Sequence, residues 1–433
     1  MKLQTEDLPR ERHDAPSQTY MKTMNTEEFI MLHRNDDVRT LALKAAGTEG
    51  IDLGYALNQI AGWQTARKKL PQWAANSGIK YPPHISMEQC SSEQTATYKA
   101  NVAQRLISKL QDGGADADTG TTLVDLTGGF GVDFSYIARR FSRAVYIEQQ
   151  SHLCDIARHN MSCLSISQAE VMCGDSTQII ASMGHVTMVY ADPARRDSHG
   201  GRTFAISDCT PDMTTLKDML LRKADFIMIK LSPMLDWRKA AADMGSCVGE
   251  VHIVSTGNEC KELLLVMSKR YSGIETIYCI NDDTTFAFMP DEAAALPQPY
   301  GAPSDGEACA PEPAAYLYEP NASLMKAGCF SLISRRYGIR QISRDSHLFV
   351  SPRAIAGFPG RSFKVRAVTP MNKSELKKAL AGIAKANIAV RNFPMTADAL
   401  RKKLKLKDGG DTYIFGTTES DGRHTLFICE KQR

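Results

Sequence analysis

The side chains best placed to do chemistry lie at residues 123–133, where an apolar run meets a group of glycines. The segment reads Leu-Val-Asp-Leu-Thr-Gly-Gly-Phe-Gly-Val-Asp, with Asp125 at the end of the run. An apolar run bounded by glycines is typical of a fully buried parallel strand, and the apolar spacing from Val132 predicts a helix after the turn. Because glycine lets the backbone approach a ligand closely, this strand, turn and helix could hold a nucleotide.

The spacing of the glycines indicates which nucleotide to expect. A dinucleotide fingerprint would place a third glycine where this chain has Phe134, so a nicotinamide or flavin is disfavoured. The turn resembles the Asp-x-Gly-x-Gly-x-Gly turn of class I S-adenosylmethionine (SAM) methyltransferases, with Thr127 at the family's first glycine. This resemblance implies that SAM is bound by Asp125, Thr127, Gly128, Gly129 and Gly131.

Two further apolar runs end in acids that could complete such a site. The run at residues 144–148 ends in Glu148, where a carboxylate can accept hydrogen bonds from ribose hydroxyls. The run at 169–173 is followed by Asp175, where the family places a residue beside the adenine. Each acid alone is more often a solvated strand end. Ligands of open α/β sheets bind at the carboxyl ends of strands, so the combination favours SAM.

The order of the predicted elements indicates the fold class. Seven strand-like runs occur, at residues 123–125, 144–148, 169–173, 186–191, 227–231, 251–255 and 263–267. Stretches with helical spacing at 153–161 and 213–221 alternate with strands, which predicts a mainly parallel sheet. We therefore expect an α/β protein with a Rossmann-like, seven-stranded methyltransferase sheet.

The fourth run is followed by the string Asp-Pro-Ala-Arg-Arg, which begins at Asp192. It resembles the Asn/Asp-Pro-Pro-aromatic motif of amino-directed methyltransferases, in which the carboxylate and a proline carbonyl accept hydrogen bonds from the target nitrogen. The resemblance implies that Asp192 and Pro193 position the acceptor. Arg195 stands where the motif has an aromatic residue. Its guanidinium, or that of Arg196, could stack on a base or pair with a phosphate.

Alternatives remain open for this string. It also resembles the fourth motif of RNA uracil-5 methyltransferases, whose cysteine nucleophile ends strand six. The corresponding residue here is Thr256, and Cys260 is offset from it. Carbon methylation needs a thiolate that adds to the pyrimidine, so we expect methylation of an amino nitrogen or a ribose hydroxyl instead. The two arginines could also close the loop through ion pairs with Asp197 or Asp208.

The charge and the cysteine content limit the classes of protein to which this chain can belong. The net charge is only +3, but residues 361–411 contain thirteen Lys and Arg against four Asp and Glu, which favours a nucleic acid partner over a merely solubilising face. The eleven cysteines form no Cys-x-x-Cys pair or Cys/His cluster, which indicates free thiols in a reducing cytoplasm and no metal site. There is neither an apolar signal core nor a membrane-length apolar run, so we expect a cytoplasmic protein.

Ahead of the sheet, a polar tail at residues 1–22 is predicted to be disordered or extended, and residues 23–115 to be a helical domain. Gln94 and Thr95 lie one helix before the first strand. Many methyltransferases fold this region over the methionine end of SAM, so the resemblance implies a cofactor contact there. The alternative is that a neighbouring serine, Ser91 or Ser92, caps the helix.

Two tryptophans of this region, Trp63 and Trp73, lie among basic residues. Aromatic and basic residues together can bind single-stranded nucleic acid. A helix that packs its tryptophans inward and leaves its lysines outside would have the same pattern, so both interpretations stay open.

The carboxy-terminal third is predicted to be of α+β type. A loop rich in alanine and proline spans residues 291–315, and strand-like runs follow at 329–333 and 348–350. The predicted order then is a strand at 363–368, a helix at 373–385, a strand at 388–390, a helix at 396–403, and strands at 413–417 and 425–430. The last two are joined by Glu-Ser-Asp-Gly, a hairpin turn signal.

Nearly the whole chain resembles a bacterial family of methyltransferases that carries a THUMP-like carboxy-terminal module. The resemblance rests on Gln-Cys-Ser-Ser-Glu, Asp-Pro-Ala-Arg-Arg, Arg-Asn-Phe-Pro at 391–394 and the segment 404–411. It implies a SAM-binding methyltransferase domain at residues 116–275, a small ferredoxin-like region at 276–360 and a THUMP-like domain at 361–433.

The sequence thus predicts a SAM-dependent methyltransferase that acts on structured RNA, tRNA or rRNA, by direct transfer. One alternative keeps SAM but has a protein or small molecule as the acceptor. Another is an RNA-binding protein with a vestigial methyltransferase domain, which Thr127 and the missing aromatic after Pro193 leave open.

Overall fold

The computed structural model describes residues 24–45, 50–112, 120–195, 205–294 and 314–432. The chain divides into two compact units, Met1–Met183 and Gly184–Arg433. The predicted tail at 1–22, Arg196 and most of the loop at 291–315 lie outside the described residues. None of the helices described is long and apolar enough to cross a membrane.

The first unit begins with helices, as predicted. They are α1 (Thr26–His33), α2 (Val38–Lys44), α3 (Leu53–Lys69), α4 (Pro71–Ala74), α5 (His84–Gln89) and α6 (Glu93–Asp112). α1 begins at a capping box, in which Asn25 accepts from the Glu28 amide and the Glu28 carboxylate accepts from the Asn25 amide. Phe29 and Ile60 belong to one apolar core of this region, and Trp73 belongs to another.

Three parallel strands with helices between them complete the first unit. They are β1 (Thr122–Asp125), α7 (Val132–Ile137), β2 (Arg143–Glu148), α8 (Ser151–Cys163), β3 (Ala169–Cys173) and α9 (Ser176–Ser182). β2 lies between β1 and β3, with Asp125 opposite Tyr146 and Glu148 opposite Cys173. The carboxyl ends of the three strands therefore lie at the same edge, where the predicted cofactor residues follow them.

The second unit begins with the other predicted strands of the Rossmann-like region. Its elements are β4 (Val186–Ala191), β5 (Ala194–Arg195), β6 (Cys209–Thr210), α10 (Met213–Lys223), β7 (Ala224–Leu231), α11 (Trp237–Met244), β8 (Val248–Thr256), β9 (Glu259–Met267), β10 (Thr276–Asn281), β11 (Thr284–Phe288) and α12 (Pro290–Ala294). The seven predicted strands all form, and the α/β fold class is confirmed. β4 runs parallel to β7 and β8 parallel to β10.

Two features of this sheet were not predicted. β9 runs antiparallel to β7 and β8, because Gly257 and Asn258, both with positive φ, form a two-residue turn that folds β9 back on β8. In addition, β10 pairs with β8, and β11 pairs with β10. The sheet therefore continues past residue 275, where the sequence predicted the end of the methyltransferase domain.

The rest of the second unit contains a seven-stranded sheet in the order β13-β14-β12-β15-β18-β17-β16. Its elements are β12 (Tyr316–Pro320), α13 (Ala322–Ala327), α14 (Phe330–Tyr337), β13 (Arg340–Gln341), β14 (Phe349–Ser351), β15 (Gly360–Pro370), α15 (Lys373–Ala379), β16 (Asn387–Arg391), α16 (Ala397–Leu404), β17 (Thr412–Thr418) and β18 (His424–Lys431). The predicted terminal hairpin forms, and Gly422 in its turn has φ +85°.

The prediction of a strand at residues 329–333 is wrong, since Cys329 is the N-cap of α14 and residues 330–333 belong to this helix. Leu332 and Ile333 are buried while the following Arg335 and Arg336 are more exposed, a helical rather than an alternating pattern. The helix ends at Gly338, which has the left-handed conformation that glycine favours at this position.

Candidate functional site

The turn after β1 is organised by the carboxylate of Asp125. This residue is buried, and its Oδ1 accepts a hydrogen bond from the backbone amide of Thr127 at 2.9 Å. Gly129 and Gly131 have φ of +55° and +82°, which disfavour a side chain, whereas Thr127 is not among the residues with positive φ. The threonine that departs from the family pattern therefore occupies a position that does not require glycine.

Gly128 is required for a different reason, close packing. A Cβ atom at this position would lie 2.2 Å from Cε2 of Tyr146, far inside van der Waals contact. The Gly128 amide donates to the carbonyl oxygen of Ile147 at 2.8 Å, so the turn is fixed directly onto β2. Any larger residue would push the turn away from this strand.

Glu148 at the end of β2 holds the same turn through its side chain. Its Oε2 accepts from the Gly129 amide at 2.9 Å, and its Oε1 accepts from the amides of Gln149 and Gln150 at 2.8 and 2.9 Å. A carboxylate has about four acceptor positions, so one is left for a further donor such as a ribose hydroxyl.

Tyr146, which sequence reasoning missed, supports the turn from the same strand. Its hydroxyl donates to the Gly129 carbonyl oxygen, and its ring packs edge-to-face on Phe134 at 5.5 Å. Burial raises its pKa well above the usual value, so the hydroxyl stays a donor. Its position two residues before Glu148 was the available signal, because residues i and i+2 of a strand point to one face.

Asp175 acts as the N-cap of α9. Its Oδ1 accepts from the Thr177 amide at 2.8 Å and from the Thr177 hydroxyl at 2.7 Å. These two bonds, the side-chain bond first, lower the pKa of the Asp175 carboxyl. It follows β3, at the position that the sequence predicted.

Gln94 and Thr95 lie in the first turn of α6, and they differ in exposure. Thr95 is buried, its amide donates to the Ser92 hydroxyl at 3.2 Å and its own hydroxyl donates to the Ser92 carbonyl oxygen. Gln94 is exposed. The capping interaction by Ser92 is thus present, and the cofactor contact of this pair stays a prediction.

The first unit therefore brings several predicted residues to one strand edge. Asp125 and Glu148 both bond to the glycine turn, and Asp175 follows the neighbouring strand end. At Gly129 an added Cβ would meet, among the residues that the structure describes, only the Thr127 carbonyl oxygen at 3.7 Å, so these residues leave space beside the turn. A nucleoside with ribose hydroxyls fits this set of donors and acceptors.

Asp192 belongs to the second unit, where it follows β4. The ammonium group of Lys230 lies 2.6 Å from its Oδ2, and the lysine side chain is only 12% exposed. Lys230 comes from the buried strand β7, and a lysine within an apolar strand was the signal for it in the sequence. Pro193 is buried, and the backbone of Arg195 pairs with Cys209.

A nucleophilic thiol is disfavoured where uracil-5 methyltransferases have one. Thr256 ends β8 at the hairpin turn, and Cys260 lies in β9. Burial, the first cause, raises the pKa of the Cys260 thiol, which works against a thiolate. In the described ranges no group of His, Cys, Asp and Glu could hold a metal ion.

Five exposed lysines near the end of the chain form what we term the lysine cluster. Its members are Lys385, Lys402, Lys403, Lys405 and Lys407. Lys385 and Lys407 face each other across a β-bridge, in which the Lys407 amide donates to the Ala384 carbonyl oxygen at 3.0 Å. Like charges so placed repel each other, and an anionic partner would relieve that repulsion.

Two acids near this cluster, Asp398 and Asp408, are paired with another cation. Asp398 and Asp408 both accept from Arg401, at 2.6 and 2.7 Å. The cluster itself has no ion-pair partner among residues 24–432 as far as they are described. Its charge is therefore available to a phosphate-bearing ligand.

Trp73 and Trp63 follow the packing interpretation. Trp73 is 1% exposed and meets Phe130 edge-to-face at 4.9 Å. Trp63 donates from its indole nitrogen to the Ala74 carbonyl oxygen, and its ring contacts the guanidinium groups of Arg34 and Arg67, 4.6 and 5.0 Å from the ring centroid. Trp63 is thus engaged within the helical region, whereas Trp73 packs this region against Phe130 of the glycine turn.

Comparisons with known proteins agree with this architecture. A ferredoxin-like domain model matches residues 316–359, and a THUMP domain-like model matches residues 360–431. The crystal structure of a "putative methyltransferase" from Porphyromonas gingivalis W83 is 32% identical to the chain, with a TM-score of 0.79. The match covers 96% of this chain and 99% of the Porphyromonas chain.

The fold and the glycine turn together are those of a class I methyltransferase. The chain belongs to the same bacterial family as the Porphyromonas protein, one with ferredoxin-like and THUMP-like carboxy-terminal domains, which confirms the predicted resemblance. No match is found among curated proteins.

Weaker structural similarities extend to other methyltransferases. One is a "putative RNA methyltransferase" from Pyrococcus horikoshii, 15% identical, covering 48% of this chain and 96% of its own, with a TM-score of 0.32. Another is an O-methyltransferase from Bacillus cereus in complex with SAH, 12% identical, covering 48% and 91%, also with a TM-score of 0.32. Similarities this weak carry no functional conclusion.

Proposed function

We propose that this protein is a SAM-dependent methyltransferase that methylates a base amino group, or another nucleophilic atom, of structured RNA such as tRNA or rRNA. The proposal that SAM is the cofactor rests on the glycine turn, which is held by Asp125, Tyr146 and Glu148. It also rests on the membership of the chain in a family of methyltransferases. The THUMP-like match and the lysine cluster support the RNA part.

In this proposal the first unit holds SAM. Asp125 shapes the turn, and the backbone at Thr127, Gly128, Gly129 and Gly131 gives the cofactor close access. Glu148 accepts from the ribose hydroxyls through its remaining acceptor position, and the Asp175 carboxylate accepts from the adenine amino group. Gln94 and Thr95 contribute at the methionine end. Bound SAM supplies an electrophilic methyl group on a sulfonium.

Asp192 positions the acceptor. Its carboxylate and the Pro193 carbonyl oxygen accept hydrogen bonds from the target amino group, which directs the nitrogen lone pair for attack. Lys230, 2.6 Å from Oδ2, fixes the orientation of the carboxylate. Because methyl transfer depends mainly on alignment and desolvation, such positioning can supply much of the rate. Arg195 and Arg196 bind a base or a phosphate of the RNA.

The lysine cluster binds the RNA backbone in this proposal. Phosphate contacts by lysine release counterions, so binding should weaken steeply with salt. A protein or small-molecule acceptor would not require this cluster.

The deciding experiment is to incubate the protein with labelled SAM and total RNA from cells that lack it, and to map the modified nucleoside. Label in one RNA species supports the proposal. Label in protein or small molecules, with none in RNA, would favour the second kind of substrate. RNA retention without calorimetric SAM binding would favour a non-catalytic RNA-binding protein.

A further inference from the structure

A fully buried lysine lies behind the glycine turn, at the junction of two helices. Lys99 of α6 has no exposed side-chain surface, and its Nζ lies 3.2 Å from Oδ1 of Asp133, whose side chain is 10% exposed. Ser91, just ahead of α6, donates from its hydroxyl to Oδ2 of Asp133 at 2.8 Å, and Lys99 donates to the same hydroxyl at 3.1 Å. These three side chains form a buried polar group.

The position of Asp133 connects this group to the turn. Asp133 is in the first turn of α7, two residues after Gly131, and α7 begins without a side-chain cap. Gly131 and Gly129 have the backbone freedom of glycine, so the turn needs external contacts to keep one conformation. Tyr146 and Glu148 hold its middle, whereas Asp133 is the charged contact beyond its last glycine.

Stability alone is a weak explanation for this group. Burying an ammonium and a carboxylate costs much of the energy that their attraction returns, and apolar side chains of similar size often serve as well. What this group adds is direction, because the Ser91 hydroxyl donates to the Asp133 carboxylate and accepts from the Lys99 ammonium, and hydrogen bonds to charged partners have a preferred geometry. Here the hydrogen bonds to Asp133 orient the start of α7, and thereby the end of the glycine turn.

We infer that Lys99, with Ser91, is a positioning residue that fixes Asp133 and thereby sets the conformation of the glycine turn for the cofactor. The inference rests on the proposed function in one respect, that the turn holds SAM. It assigns to the helical region a part in cofactor binding that is independent of any contact by Gln94 or Thr95.

The test uses the full chain and four variants: Lys99→Met, Asp133→Asn, the double variant, and Leu106→Ala as a control. Leu106 is buried on α6 about two turns beyond Lys99, so its removal leaves a cavity without touching the polar group. Each single variant at 99 or 133 should unfold more easily, because one buried polar partner is left unsatisfied. The double variant should recover stability, since neither charge remains.

Two readouts separate positioning from stability. Without cofactor, the amides of residues 128–133 should exchange with deuterium about tenfold faster in the double variant than in the wild type. By calorimetry, the Kd for SAM should rise about tenfold in the double variant. Leu106→Ala should lose stability and change neither readout. If the amides of residues 128–133 exchange at the same rate in the double variant as in the wild type, the inference is overturned.

The two hypotheses fail in different ways. If the wild type does not bind SAM, the proposed function fails, while faster exchange in the double variant would still support the positioning role. If the wild type binds SAM and the double variant binds it equally well with unchanged exchange, the positioning role fails and the proposed function stands.

Discussion

The hydroxyl of Tyr146 donates a hydrogen bond to the carbonyl oxygen of Gly129, while the amide of that glycine donates to Glu148. Two side chains of one strand thus hold a single glycine residue from both of its backbone groups. The glycine has φ +55°, and these two bonds limit the alternatives open to it.

Tyr146→Phe should weaken this arrangement while preserving the ring packing on Phe134. Removal of one hydrogen bond should lower the free energy of unfolding by about 1 kcal/mol, and SAM should bind more weakly because the turn is less constrained. Urea unfolding and calorimetry measure the two effects. Phe134→Leu, which changes the packing partner and leaves the hydroxyl, is the matched control. Unchanged SAM affinity in Tyr146→Phe would contradict a supporting role of the hydroxyl.

Gly128 and Thr127 should respond in opposite ways to substitution. Gly128→Ala places a methyl group 2.2 Å from the Tyr146 ring, so overpacking should cost about 1–3 kcal/mol and displace the turn. Thr127→Gly should leave SAM binding nearly intact, since the backbone there has no positive φ. Thermal unfolding and SAM titration of both variants check this. Tighter SAM binding by Thr127→Gly would show that the threonine does impair the site.

Asp192→Ala should abolish methyl transfer and leave SAM binding measurable.

Lys230→Met should lower kcat with a smaller effect on SAM affinity, because the carboxylate remains but its orientation is less restricted. Radiolabel transfer to RNA and calorimetry give the two quantities. Asp212→Ala, which removes the N-cap of α10 instead, controls for a general loss of structure. Full turnover by Asp192→Ala would exclude the assigned role.

Lys385→Gln with Lys407→Gln should weaken RNA binding and flatten its dependence on salt. The slope of log K against log salt should fall by about 1.4–1.8 if each lysine makes one phosphate contact. Fluorescence anisotropy with a structured RNA at several salt concentrations measures it. The charge-matched control replaces Lys68 and Lys269, exposed residues outside the cluster. An equal loss in the control would mean that the cluster has no special role.

The pH dependence of stability should include a contribution from Asp175. Its pKa is lowered in the folded state by the Thr177 bonds, so the stabilisation is present above the unfolded value of about 3.9 and is lost as pH falls through the folded pKa. Urea unfolding of the wild type and of Asp175→Asn, compared from pH 6 to pH 3, should show curves that converge toward acid. A constant difference over this range would contradict it.

Sequence reasoning located the strand ends because a buried run followed by an acid or glycine is a local pattern. It did not locate Tyr146, Lys99 or Lys230, whose roles depend on partners distant in the chain. Thr127 departs from the family's glycine, and the sequence could not show that this departure is tolerated. The backbone at this position has no positive φ, and the residue type alone does not reveal that angle.

The carboxy-terminal region shows the same limit. Residues 329–333 resemble a strand in sequence, since four apolar residues with a serine among them suit either structure. Burial of Leu332 and Ile333 against neighbouring elements selects a helix instead. The exposed lysines, by contrast, were found from composition alone, and only the pairing of Lys385 with Lys407 needed the structure.

The ferredoxin-like and THUMP-like segments share one sheet, because β12 of the first pairs along its length with β15 of the second. A protein cut at residue 359 would present the bare edge of β12 to other chains. Such an edge is a template for intermolecular strand pairing, so the shortened protein should aggregate. We therefore expect the two segments to unfold together, as one cooperative unit built on a single sheet.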